Sequence, residues 1–385
     1  MTPGARVAAA IEILADMTDG LAAEQALTRW ARRSRFAGSK DRAAIRDHVF
    51  DVLRCRRTTA HMGQGETPRA LMIGALRLQQ ADLDALFSGE GHSPVPLSEQ
   101  ERMVPEMPSD TAVLMNLPDW LIPHFDESLG PAAMSTALAL QERAPVFLRT
   151  NAARISRDDA IAALASEGIE ASVNPICDTA LTVIEGARKI RNSQPYLEGL
   201  VELQDGASQA VVSALPTGRR VLDFCAGGGG KALAIAAQPD RAVTAHDIDP
   251  RRMQDIASRA ERAEVQIKTV ASEDLEGGYD VVLCDAPCSG SGAWRRSAEA
   301  KWTLTQDRLT ELTTVQDDIL DQAARLLAPA GALVFATCSV LHCENEARVA
   351  AFLKRHPDWS CSFEQRFAVG ADGDGFFTAH LIRGL

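Results

Sequence analysis

Long apolar runs are missing from this chain. Stretches such as residues 232–237 and 326–330 fall far short of the ~18 consecutive apolar residues that a membrane span needs. Pro3 and Gly4 open an amphipathic pattern, not the continuous apolar centre of a secretory leader. A soluble, cytoplasmic protein without a membrane partner is expected. Cysteine is sparse, at eight in 385 residues with no CxxC spacing, which excludes a disulfide scaffold. His342 and Cys343 are adjacent, with no second ligand pair at suitable spacing, so no metal is expected. Excess positive charge is absent too. Against 52 Asp+Glu stand 40 Lys+Arg, a net charge of −12, the wrong sign for holding nucleic acid by overall charge. Internal repeats and low-complexity tracts are also lacking.

What remains is ordinary globular composition, 46 % hydrophobic and 24 % charged. At ~100–200 residues per domain, the length implies two or three domains. Basic residues cluster locally. Arg29, Arg32, Arg33, Arg35, Lys40, Arg42 and Arg46 are followed by Arg54, Arg56 and Arg57, and a second group is Arg295, Arg296 and Lys301. Such groups are either solvated helix faces or a local face for RNA. Cys55, Cys177 and Cys361 fit the role of small hydrophobes.

The first ~125 residues follow helical spacing. Val7, Ile11 and Leu14 share one face, and Ile45, Val49, Val52 and Leu53 another. A third apolar pattern, residues 71–86, is interrupted at Gly74, and residues 88–108 form a loop by their Gly and Pro content. Short helices are expected at 120–125 and 132–143. Beyond Pro145 the pattern changes to a small α/β unit, with strands at 146–150, 171–174 and 181–184 and a helix capped by Ser156 or Asp158 and ended by Gly168. From about Leu203, strand-like residues 221–224, 242–246, 265–270, 280–284 and 332–337 alternate with helical ones. That alternation implies a largely parallel sheet covered on both faces.

Four strand ends carry the chemistry. Val221-Leu-Asp-Phe-Cys-Ala-Gly-Gly-Gly-Gly-Lys231 runs a strand into a glycine-rich turn and a helix, where backbone can approach a ligand closely. It is not a P-loop, because Ala232 follows Lys231. Asp247 ends the second strand and suits the ribose hydroxyls of a nucleoside cofactor, NAD or S-adenosylmethionine alike. His246 faces away and suits packing, while Asp249 suits a helix cap. A continuous apolar strand ends in Asp285-Ala-Pro-Cys288, and another ends in Thr337-Cys338-Ser339. Two thiols at the C-terminal edges of two strands would converge over one crevice.

These residues resemble the bacterial Fmu/Sun (Nop2-related) RNA cytosine-5 methyltransferases. The resemblance runs through Asp285-Ala-Pro-Cys-Ser, Arg295-Arg296, Lys301-Trp302, Gln316, Ile319-Leu320, Thr337-Cys-Ser, Glu344-Asn-Glu346 and Gly373-Asp-Gly-Phe-Phe377, with Leu203-Gln-Asp205, Ser208 and residues 145–151 upstream. It covers about 240 residues. Residues 1–130 look like the NusB-like RNA-binding domain of the family's small-subunit ribosomal RNA enzymes, residues 131–202 like a small α/β RNA-recognition-like subdomain, and residues 203–385 like a Rossmann-like class I methyltransferase domain.

The resemblance implies Cys338 as the nucleophile that adds to C6 of cytosine, Cys288 as the thiol that assists release, and Asp285 on the cytosine edge and near the cofactor. Cys225, Ala226, Gly227, Gly228, Gly229, Gly230 and Lys231 would line the methionine end of S-adenosyl-L-methionine, Asp247 the ribose, and Arg252 the basic position beyond it. Ser272 stands where the family places an Asp beside the adenine. Other departures are Gly227 and Gly228 for Ala-Pro, Ala232 for Thr, and Ala298 for Pro. The implied activity is S-adenosylmethionine-dependent RNA (cytosine-5) methylation, on 16S rRNA by the N-terminal resemblance. Alternatives are a tRNA methyltransferase and a non-catalytic RNA-binding assembly factor. A nicotinamide dehydrogenase would leave both strand-end thiols unexplained. The oligomeric state is not legible in the sequence.

Overall fold

Capping and apolar spacing set the N-terminal helices. Thr2 accepts the Ala5 N–H with Pro3 at the first helical position, starting Pro3–Thr18, and Thr67 with Pro68 starts Pro68–Leu78 the same way. With Ala23–Arg33, Ser39–Arg54 and Arg56–Gly63, they enclose Val7, Ala10, Ile13, Ile45, Val49, Val52, Met72, Ile73 and Leu76. Gly74 does not interrupt its helix. A Cβ there would lie 1.9 Å from the Thr59 carbonyl oxygen, and one at Gly63 would lie 1.8 Å from that of Ala70. The two glycines therefore let helices Arg56–Gly63 and Pro68–Leu78 touch backbone to backbone. The loop at 88–108 carries one short helix, Glu99–Arg102, held by a capping box from Ser98.

The structure, a computed structural model, describes residues 1–384. They fall into two units, and the helical one consists of residues 1–126, 131–143 and 294–303. The last segment lies among the β-strands in sequence, yet Ala298 joins the helical core. Trp294 stacks on Phe125 with ring centroids 6.0 Å apart. The Trp302 indole N–H donates to the Leu53 carbonyl at 2.7 Å, the Lys301 ammonium to the Arg54 carbonyl at 2.7 Å, and the Arg54 guanidinium to the Arg295 carbonyl at 3.1 Å. Helix Ala23–Arg33 has no cap from its own flank. Instead the Glu299 carboxylate accepts the Ala23 N–H at 3.0 and 3.1 Å.

The second unit holds all the strands: β1 (Val146–Thr150), β2 (Glu170–Val173), β3 (Ala180–Glu185), β4 (Val201–Leu203), β5 (Arg220–Asp223), β6 (Ala242–His246), β7 (Ile267–Val270), β8 (Tyr279–Asp285), β9 (Leu327–Thr337), β10 (Trp359–Phe367) and β11 (Phe376–Arg383). A four-stranded antiparallel sheet, β2-β3-β1-β4, packs Leu148, Leu181 and Val201 against Ala160 and Leu164 of helix Arg157–Ser166. Ser156 caps that helix.

The seven-stranded sheet runs β10-β11-β9-β8-β5-β6-β7. Strands β5 to β9 pair in parallel, and β11 and β10 add antiparallel at one edge. The parallel strands are apolar on both faces, as Val221, Leu222, Val281–Leu283 and Leu333–Ala336 are all buried beneath helices. The edge pair was not legible, because the solvated β10 reads Ser-Cys-Ser-Phe-Glu-Gln-Arg with little alternation. This is the Rossmann-like α/β architecture. Strand order reverses at β5, between β6 and β8, so the ligand crevice of such a fold lies at the C-terminal ends of β5 and β8. Among the described residues no helix is long and apolar enough to cross a membrane.

Candidate active site

Both strand ends that carry a thiol lie side by side, since β8 and β9 are neighbours and Asp285 pairs with Ala336. The Cys288 and Cys338 Sγ atoms are 3.4 Å apart. Around them the loops are tightly bonded. The fully buried Glu344 accepts from the Ser289 N–H at 2.8 Å, from the Ser289 and Ser339 hydroxyls at 2.5 Å each, and from the Gln316 amide at 3.2 Å. Gln316 also donates to the Pro287 carbonyl at 3.0 Å. On the other side, Asn345 donates to the Ser339 carbonyl and accepts from the Thr337 hydroxyl. Ser291 bonds Ser339 and accepts the Val340 N–H at 2.9 Å. The Cys288 thiol is held well up by its hydrogen bond to Cys338, by burial, and by the charges of Cys338 and Glu344.

Lys231, first turn of the helix after the glycine-rich loop, reaches across to Asp285 with Nζ–Oδ2 at 2.6 Å, its ammonium 5.1 Å from the centre of the Phe376 ring. Burial alone would push Lys231 down, but the adjacent Asp285 carboxylate, with lesser help from Cys338 and Asp223, leaves it raised. Lys231 is therefore a lasting cation at the strand ends.

The glycine-rich turn owes its shape to Gly229, at φ +78°, where a Cβ would lie 2.7 Å from Ile256 Cγ1. Two arginines brace it from outside: Arg149 donates to the Gly230 carbonyl at 2.9 Å and Arg259 to that of Gly228. From inside, Asp247 accepts the Gly227 N–H at 2.9 Å and the Asp249 N–H at 3.0 Å, with Arg252 at 3.0 Å. Asp247 thus builds the turn, with three donors on its carboxylate. Burial, then the neighbouring Asp223, push the Cys225 thiol far up. Ala226 follows it, its N–H bonded to the His246 carbonyl. His246 packs on Phe224 at 5.2 Å, and Asp249 caps the turn Pro250–Met253. Ser272 opens an exposed turn after β7 and makes no side-chain bond that would mark it out.

Asp223 was not singled out in the sequence, although it ends β5 directly before the turn. It is 1 % exposed and neither carboxylate oxygen has a well-formed hydrogen bond; only a weak backbone contact to Ala232 is near. Burial, then the charge of Asp285, raise it to about 7. A buried carboxylate left this way awaits a cation, and the ammonium of a methionine moiety fits. Glu344, Asn345 and Gln316 belonged to the family resemblance without a role. Their bonds join residues far apart in sequence.

Some of the basic residues are engaged within the protein. Arg33 pairs with Glu12 and Asp16, Arg46 with Glu24, and Arg57 with Asp119. Arg295 and Lys301 are buried within the helical unit. Among the described residues no group of three or more His, Cys, Asp or Glu could hold a metal.

Comparison with known proteins follows this geometry. A family model described as 16S rRNA methyltransferase RsmB/F matches residues 210–381, and one for the ferredoxin-like domain of RsmF/B-like methyltransferases matches residues 117–190. Ribosomal RNA small subunit methyltransferase B of Salmonella arizonae is 30 % identical over 352 residues, covering 87 % of this chain and 80 % of that protein. The same enzyme of Salmonella typhi matches to the same extent. Among solved structures, PH0851 superposes with a TM-score of 0.76 at 22 % identity, covering 100 % of this chain and 99 % of that one. A methyltransferase homologue from Pyrococcus horikoshii gives 0.62 at 22 % identity over 72 % and 98 % of the two chains. These likenesses show a shared methyltransferase fold.

Proposed function

The chain belongs to the 16S rRNA methyltransferase RsmB/F family, and on that premise we propose that it methylates C5 of a cytosine in small-subunit ribosomal RNA through a covalent bond to Cys338. It is an RNA methyltransferase, and its cofactor is S-adenosylmethionine. The observation that carries the finer reading is the Cys288–Cys338 separation of 3.4 Å beside the Lys231–Asp285 pair.

Cytosine C5 is a poor nucleophile until a thiolate adds at C6 and turns the ring into an enamine. Cys338 is the group that adds. Asp285 holds the cytosine edge and is itself held by Lys231 at 2.6 Å. Bound S-adenosylmethionine supplies the methyl group as an electrophile. Transfer of the C5 proton to a water molecule restores the C5–C6 double bond and expels Cys338 as its thiolate, and Cys288, 3.4 Å from Cys338, assists that release. Cys225 through Lys231 line the cofactor's methionine end, with Asp223 taking its ammonium. Asp247 takes the ribose with Arg252 beside it, and Ser272 lies toward the adenine. Residues 1–130 bind RNA, residues 131–202 adapt it, and residues 203–385 carry the chemistry. The target base must be unstacked, so loops and single strands are the preferred substrate.

The test is to map 5-methylcytosine by bisulfite sequencing of rRNA and tRNA after adding the protein to RNA from cells lacking it. One new site in 16S rRNA, with Cys288→Ala accumulating a protein–RNA adduct, is the expected result. Sites in tRNA alone would move the substrate, and methylation of another base would overturn the reading.

A further inference from the structure

We infer that Glu344 is the positioning residue of the thiol pair, clamping the residue that follows each cysteine so that Cys288 and Cys338 face each other at bonding range. This rests on the reading of those thiols as the acting pair. The geometry is specific. Ser289 follows Cys288, Ser339 follows Cys338, and both donate their hydroxyls to the one carboxylate of Glu344, as does the Ser289 N–H at 2.8 Å. Gln316 bonds that carboxylate at 3.2 Å and also the carbonyl of Pro287, the residue before Cys288. Asn345, next to Glu344, does the matching work on the other loop, bonding the Thr337 hydroxyl and the Ser339 carbonyl on either side of Cys338.

Every proton in this cluster has a consistent direction. Ser339 Oγ donates to Glu344 and accepts the Leu341 N–H at 3.0 Å, while Ser291 Oγ accepts the Val340 N–H and bonds Ser339. A carboxylate is the acceptor-only group that four converging donors require. A glutamine there would turn an amide N–H₂ toward donors and break part of the cluster. Both loops would then lose the contact that sets their spacing. Glu344 touches no reacting atom in this scheme, so its effect falls on turnover through geometry. The Glu344 charge also adds to what holds the Cys288 proton in place.

The experiment uses the full chain and two readouts. Diamide takes up two hydrogens as two thiols join, so the rate of Cys288–Cys338 disulfide formation, read by peptide mapping without RNA and normalised to the rate at which a monofunctional reagent alkylates each thiol, reports the spacing. Methyl-transfer kinetics report its use. For Glu344→Gln we expect crosslinking slowed about tenfold and kcat reduced by up to ~10²-fold, the scale of a 1 Å misplacement, with KM for S-adenosylmethionine within about twofold. Wild-type crosslinking by Glu344→Gln overturns the inference, whether kcat falls or not. Should that variant fail to fold, Ser289→Ala and Ser339→Ala each delete one donor and are read the same way; unchanged crosslinking in both overturns it. Slowed crosslinking in a protein that transfers no methyl group to cytosine would uphold the clamp and refute the proposed reaction instead.

Discussion

Lys301 offers a titration whose size follows from its surroundings. The residue is 1 % exposed, and its Nζ donates to the Arg54 carbonyl at 2.7 Å. Burial lowers it from 10.5 to about 7, against a smaller opposing effect of Cys55. Between those values the unfolded chain carries the proton and the folded chain does not, so folding stability rises with pH across the interval. Each unit of difference is worth about 1.36 kcal/mol. Integrating the protonation difference from about pH 7 to about pH 9 gives a gain of about 2 kcal/mol from this one residue. Other groups titrate too, so the measurement is a comparison. Urea unfolding of the wild type and of Lys301→Met, followed by circular dichroism at both pH values, isolates the contribution. Wild type should gain about 2 kcal/mol relative to the variant. Midpoints that move in parallel would refute the burial argument.

Further predictions follow from single contacts. Gly229→Ala places a Cβ at positive φ and against Ile256, which should cost about 1–2 kcal/mol and weaken S-adenosylmethionine binding, both readable by calorimetry. Glu299→Ala removes the carboxylate on the Ala23 N–H and should lower stability by about 1 kcal/mol, seen as a lower melting temperature with unchanged cofactor affinity. If Asp223 takes the cofactor's ammonium, its proton must leave first, so affinity for S-adenosylmethionine should rise with pH through about 7. Asp223→Asn should bind weakly and flatten that profile, and an unchanged profile in the variant would remove Asp223 from the site.

Much of the catalytic unit was legible because parallel strands announce themselves. Residues 281–284 and 332–336 are continuous apolar runs that end at the ligand edge of a doubly wound sheet, which brings the strand ends bearing Asp285, Cys288 and Cys338 together. Short-range signals likewise narrowed one helix cap to Ser156 or Asp158, of which Ser156 is the cap, and pointed to the cap at Asp249. What failed was whatever depends on a distant partner. Gly74 looked like a helix breaker because nothing local reveals that Thr59 packs against it. Lys301 and Arg295 looked like a basic face beside the cysteine loop, whereas both are buried in the helical unit. A lysine's sequence neighbours do not tell whether its stem will be covered. Glu344 was visible as a motif letter only, since its donors lie at Ser289, Gln316 and Ser339. Asp223 was overlooked because an Asp at a strand end is common. Its lack of partners appears only once the interior is built.

The most direct test of the central claim is transfer of tritium from labelled S-adenosylmethionine into total RNA from cells lacking this protein, with wild type beside Cys338→Ala. Label recovered as 5-methylcytosine from wild type alone is the predicted result. Equal labelling by Cys338→Ala, or label in another base, would contradict the assignment of Cys338 as the nucleophile.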